Sequence, residues 1–205
     1  MVSVLDYKTQ RQFPKFGGKN MIPEHFHQVD KTGIKAIFLS NGLHRASLLL
    51  PFFGRFSGRT ICVIGQNPST ANEQHADKTV HFLERYVFEK LPEYGQLLML
   101  NLYSRVDTNK SEKSDLNHKE CDRILHESIA ENEDFLFVFG KIKNEGAYKF
   151  PARLRELSPL FKGKRIYKFD VGTAYPPHPG NRLILYRNFT VGLSPYEFSG
   201  IKTYT

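Results

Sequence analysis

Cysteine is scarce in this chain, with only Cys62 and Cys121 among 205 residues. Cys62 sits inside an apolar run, so a disulfide-stapled secreted fold is not expected and a reducing cytoplasm fits best. Long hydrophobic runs are also missing. None reaches the roughly 18 residues that a membrane span requires, and the longest, over 46–53, is interrupted by Ser47 and Pro51. Residues 1–19 mix Asp6, Lys8, Arg11 and Lys15 without an apolar core, so they do not read as a signal peptide. There is no internal repeat, low-complexity tract or linker, and one domain over 1–205 is expected, with no membrane partner. A phosphate loop of the GK[ST] type and a Gly-x-Ser-x-Gly elbow are both absent, which disfavours NTPase and serine-hydrolase chemistry.

Acidic residues are in the minority. The chain has 21 Asp and Glu against 29 Lys and Arg, a formal charge of +8, which suits a polyanionic partner such as nucleic acid. With 40% apolar and 13% aromatic residues it can build an ordinary globular core.

The pattern of apolar residues predicts a parallel α/β sheet. Segments 35–39 and 44–50 flank Ser40-Asn41-Gly42, a hairpin signal placed ahead of the main sheet. Runs at 60–64, 97–102, 135–139 and 165–169 read as four strands, the first three without the polar alternation of a half-exposed sheet. Helical spacing links them over 77–90, with Asp77 at the helix start, and over 119–131. A third helix falls between 146 and 157, where Pro151 marks its start or a break. Residues 1–33 read as an irregular arm carrying His25 and His27, and 188–192 as a last strand or edge segment. His25-Phe26-His27 has ligand-like spacing but no carboxylate or cysteine near it in sequence, so no metal site is expected there. The expected fold is a three-layer α/β/α arrangement around a mainly parallel four-stranded sheet. Ligands of such sheets bind at the carboxyl ends of the strands, where Asn67, Asn101, Lys141 and His178 would fall.

Two loops carry the chemistry: Gly65-Gln66-Asn67-Pro68 after the first parallel strand, and His178-Pro179-Gly180-Asn181-Arg182-Leu183 near the end. With Asn101 closing the second strand and 135–141 forming the third, their order resembles the uracil-DNA glycosylase superfamily. That resemblance spans 60–185. The stretch Asn67-Pro68-Ser69-Thr70-Ala71, followed by Asp77-Lys78-Thr79, also resembles a bacterial family marked by an Asn-Pro-Ser-Thr-Ala motif.

The glycosylase resemblance implies a cofactor-free monofunctional DNA glycosylase, a monomer that flips a base out of duplex DNA and hydrolyses its glycosidic bond. Catalysis would fall to Asn67, whose amide oxygen orients water, and to His178, which donates to the base oxygen where charge accumulates. Gln66, Ser69 and Asn101 would bind the base; Pro68, Lys141, Gly180, Arg182 and Leu183 would contact DNA, Arg182 or Leu183 filling the vacated space. Ser69 stands where the best-known branch has a tyrosine that closes the pocket at pyrimidine C5. This suggests a C5-modified base, such as hydroxymethylated or glucosylated cytosine of phage DNA. The amide of Asn101 could rotate to suit either uracil or cytosine. Branches with an iron–sulfur cluster need four cysteines, which this chain lacks.

Plainer readings stand beside these. Asn67-Pro68 is also an ordinary turn, His178 a structural loop histidine, and Lys141 a solvated lysine. A non-catalytic DNA- or nucleotide-binding module, a uracil-specific glycosylase and a nucleoside hydrolase are the alternatives.

Overall fold

The computed structural model describes residues 24–55, 58–187 and 190–197. The elements run β1 (Lys35–Leu39), β2 (His44–Pro51), β3 (Arg59–Gly65), α1 (Lys78–Lys90), β4 (Tyr94–Asn101), α2 (Lys119–Glu131) and β5 (Asp134–Phe137). They continue with β6 (Asn144–Glu145), β7 (Tyr148–Lys149), α3 (Phe150–Leu157), β8 (Arg165–Phe169), α4 (Arg182–Arg187) and β9 (Leu193–Pro195). This is a mixed α/β fold.

Four parallel strands, β4-β3-β5-β8, form the centre of a seven-stranded sheet ordered β1-β2-β4-β3-β5-β8-β9. The chain steps from β3 to β4 in one direction and then crosses back over β3 to β5. Crossovers of parallel strands are right-handed, so this reversal sends the connecting helices to opposite faces. Packing follows that rule. Val80, Leu83 and Val87 of α1 pack with Ile61, Val63, Leu97, Met99 and Leu136 in one core. Leu125 and Ile129 of α2, with Leu154 and Leu157 of α3, pack with Cys62, Ile64, Leu100, Phe135 and Phe137 in the other. Alternate residues of each strand thus serve two layers, which explains why the runs lack polar positions. The reversal also opens a crevice at the carboxyl ends of β3 and its neighbours.

Local signals account for several boundaries. Asp77 caps α1 by accepting the Val80 N–H at 2.7 Å. Pro151 lies in the first turn of α3, where its missing N–H costs nothing, so it starts the helix rather than breaking it. In the β1–β2 turn, Asn41 and Gly42 take positive φ of 55° and 85°.

The structure departs from expectation at both ends of the sheet. The hairpin does not stand ahead of the sheet but joins it, β2 pairing antiparallel with β4 and covering what would be an open edge. The last strand is Leu193–Pro195, antiparallel to β8, rather than 188–192, whose residues 188 and 189 lie outside the described ones. The small β6–β7 hairpin and α4 were not anticipated.

Residues 1–23 of the expected arm also lie outside the described ones, and 24–33 are irregular yet built into the core. Phe26 and Val29 are buried there. His25, also buried, has its Nδ1 2.5 Å from Glu84 Oε1 on α1, and its Nε2 donates to the Asn72 carbonyl at 2.8 Å. Both ring nitrogens are therefore occupied, which leaves neither for a metal. Both cysteines are free and buried, and burial, assisted by Asp134, pushes the Cys62 thiol up to about 12. Among the described residues no helix is long and apolar enough to cross a membrane.

Candidate active site

A cavity of about 490 Å³ opens where the parallel strands end. Gly65 and Asn101 are register partners at the ends of β3 and β4, so the loop that follows Gly65 starts beside the Asn101 side chain. A Cβ on Gly65 would lie 2.7 Å from Asn101 Nδ2, and only glycine permits that approach. At the end of β5, the Gly140 N–H donates to the Pro176 carbonyl at 2.8 Å and ties this strand to the His178 loop.

Gln66, Asn67, Ser69, Asn101, Lys141 and His178 all line this one cavity, whereas Pro68, Gly180, Arg182 and Leu183 do not. Pro68 is buried, and Arg182 and Leu183 are exposed on α4. Gly180 has a different role: its N–H donates to His178 Nδ1 at 3.0 Å. That bond makes Nδ1 the acceptor and assigns the ring proton to Nε2, which stands 3.4 Å from Thr79 Oγ1. His178 is exposed, but the protein around its ring displaces part of its hydration and lowers its pKa below the ordinary value, only partly opposed by Asp77. His178 is thus a neutral imidazole with an N–H available to a ligand.

The sequence reading missed the most deeply placed charge at the site. Arg45 of β2 is 2% exposed, and its guanidinium donates to the Ala71 carbonyl at 2.9 Å and to Asn101 Oδ1 at 3.4 Å. Burial depresses it to about 10, with Asp77 acting in the opposite sense. The free rotation expected of the Asn101 amide is therefore restricted, since turning it would set its NH₂ against the guanidinium.

Among the described residues, Arg45 Nε and Asn67 Oδ1 are the two buried side-chain polar atoms without a hydrogen-bond partner. Each such orphan costs about 1–3 kcal/mol. Both belong to residues lining the same cavity, and a ligand supplying an acceptor to one and a donor to the other would offset that cost. Asn67 Nδ2 meanwhile donates to the Arg105 carbonyl at 3.4 Å, which fixes the amide.

Asp77, Thr79, Asp107, Thr108, Lys110 and Glu145 complete the polar lining and were likewise not anticipated as site residues. Asp107 is buried, which favours its neutral form, but the Glu112 and Ser111 backbone N–H groups and the Tyr148 hydroxyl hold its pKa below the ordinary value. Lys110 pairs with Glu145 at 3.3 Å. One signal was readable for Arg45, a lone charge inside the apolar segment 44–50; the loop residues offered none, because long-range folding delivers them.

A second cluster imitates a hydrolase triad. His44 Nδ1 is 2.9 Å from Ser104 Oγ, and its Nε2 is 3.1 Å from Asp115 Oδ2. Ser104 is buried, however, and its Oγ already accepts the His118 N–H at 2.9 Å. This network clamps the loop between β4 and α2, and that loop carries Asp107, Thr108 and Lys110 to the cavity.

The chain is thus a mixed α/β fold with a polar cavity at the switch point of its parallel strands. The chain belongs to the family described as "Protein of unknown function (DUF1643)", whose model matches residues 54–179. No curated protein and no solved structure matches the chain.

Proposed function

We propose that the protein is a monofunctional DNA glycosylase of the uracil-DNA glycosylase type, acting as a monomer on a pyrimidine extruded from duplex DNA. The observation that supports this best is the convergence of Asn67, Asn101 and His178 on one cavity of about 490 Å³. Three polar groups from distant parts of the chain face one space at the carboxyl ends of the parallel strands, as a base-reading site requires.

In this mechanism the bond between C1′ and N1 breaks with its electron pair moving onto the base. His178 Nε2–H, now facing Thr79, donates to the base carbonyl where that charge collects. A neutral imidazole suits this role, since it polarises without surrendering its proton. The buried Arg45 cation favours the same charge. Asn67 Oδ1, which lacks a donor, accepts from the water that attacks C1′. Ser69 lines the cavity with a small side chain, which supports a base carrying a C5 substituent such as hydroxymethyl. In this reading Arg182 or Leu183, both exposed on α4, fills the gap left in the duplex, and Lys141 contacts DNA.

The test is incubation with duplexes carrying uracil, thymine, 5-hydroxymethyluracil, 5-hydroxymethylcytosine and glucosylated hydroxymethylcytosine, scored for abasic sites by alkali cleavage. Excision of a C5-substituted base is expected. Exclusive excision of uracil would remove the C5 assignment, and DNA binding without any abasic site would leave a binding module of the same fold.

A further inference from the structure

Resting on that reading, we propose that Asp77 is the general base of the reaction, the group that takes the proton of the attacking water. The mechanism above lacks one: an asparagine amide can orient water but cannot accept its proton, so Asn67 alone leaves that step unassisted.

Three carboxylates line the cavity, Asp77, Asp107 and Glu145, and their bonding separates them. Asp107 is spoken for at both oxygens, Oδ1 by the Ser111 hydroxyl at 3.3 Å and Oδ2 by the Glu112 N–H and the Tyr148 hydroxyl, each at 2.9 Å. Glu145 is paired with Lys110. Among the described residues Asp77 spends only Oδ1, on the helix cap to Val80, and keeps Oδ2 uncommitted.

Its position is the second argument. The Asp77 charge acts on both Arg45 and His178, the cation and the hydrogen-bond donor of the proposed site. Asp77 lines the same cavity as those two groups, and in the proposal it faces the water that attacks C1′ while they hold the base. Asp77 and Thr79 therefore give a use to the Asp-Lys-Thr segment that follows the Asn-Pro loop: the first takes the proton, and the second aligns the His178 ring. In the full step the water oxygen bonds to C1′ as the C1′–N1 bond breaks, and the bond pair leaves with the base. The water proton passes to Asp77 Oδ2 and from there to the departing base anion or solvent.

Helix capping makes this testable without unfolding the protein, because Asn and Ser cap as well as Asp does. Asp77→Asn and Asp77→Ser should melt close to wild type and bind duplex equally well, yet lose about 100-fold or more in single-turnover excision of whichever base of the panel wild type removes. Azide, a nucleophile that carries no proton to lose, should restore excision in both. Full activity in folded Asp77→Asn and Asp77→Ser would overturn the assignment and leave the glycosylase reading intact, as would slow variants that azide does not rescue. A wild-type protein that forms no abasic site on any duplex would remove both.

Discussion

Two histidines at opposite ends of the chain show how neighbours decide what one side chain does. His25 is buried and His178 lies exposed at the cavity, yet at both the surrounding protein displaces water and disfavours the charge of the ring. At His25 that penalty is outweighed by the Glu84 carboxylate and the Asn72 carbonyl, so its pKa rises. Both nitrogens donate, and the charged ring pins residues 24–33 to α1. At His178 the Gly180 N–H occupies Nδ1 and, among the described residues, no carboxylate bonds the ring, so desolvation prevails and its pKa falls. A saturated histidine becomes a fastener, whereas one with a spare N–H beside a cavity becomes a candidate catalyst.

The sharpest way to break this contrast is to delete the rings in turn. His178→Ala should lower single-turnover excision by about 100-fold or more and leave the denaturant midpoint nearly unchanged. Near-wild-type excision would reduce His178 to a loop residue. Glu84→Gln should do the reverse. Losing one partner of a buried pair costs about 3–5 kcal/mol, measurable by urea unfolding, with excision per folded molecule retained.

Opposite pKa shifts predict opposite pH trends. The raised pKa of His25 means the folded state holds its proton more tightly, so its contribution to stability is complete below about 6.5 and fades as pH climbs through the raised value. Comparing urea midpoints of wild type and Glu84→Gln across that range checks it. The excision rate should instead decline on acidification, starting below about 6.5, as the lowered His178 finally takes a proton onto its Nδ1. The smallest effect expected is for Gly180→Ala. A Cβ there would sit 3.1 Å from His178 Nδ1, crowding a bond worth roughly 1 kcal/mol, so excision should slow by about fivefold.

Much of the framework was legible in the chain. Apolar runs at 60–64, 97–102 and 135–139 mark three of the four parallel strands, since a strand covered on both faces admits few polar residues, and alternation over 165–169 marks the fourth. The Asp77 cap and Pro151 start are local devices readable at single positions. Asn67, Asn101 and His178 were placed together because strand ends converge in such sheets. Arg45 was not, because its burial depends on β2 pairing with β4, a contact about fifty residues away in sequence. Likewise β9 depends on pairing with β8, and 193–195 offer too short a pattern to declare it.

Arg45 comes from the hairpin, upstream of the segment 54–179 shared with the family. One wall of the cavity is thus contributed by an antiparallel extension rather than by the repeating strand–helix units that build the rest. A chain pared down to 54–179 would lay bare the rim of β4 and forfeit the guanidinium that steadies Asn101. The cavity is accordingly assembled from more of the chain than the segment 54–179 matched by the family.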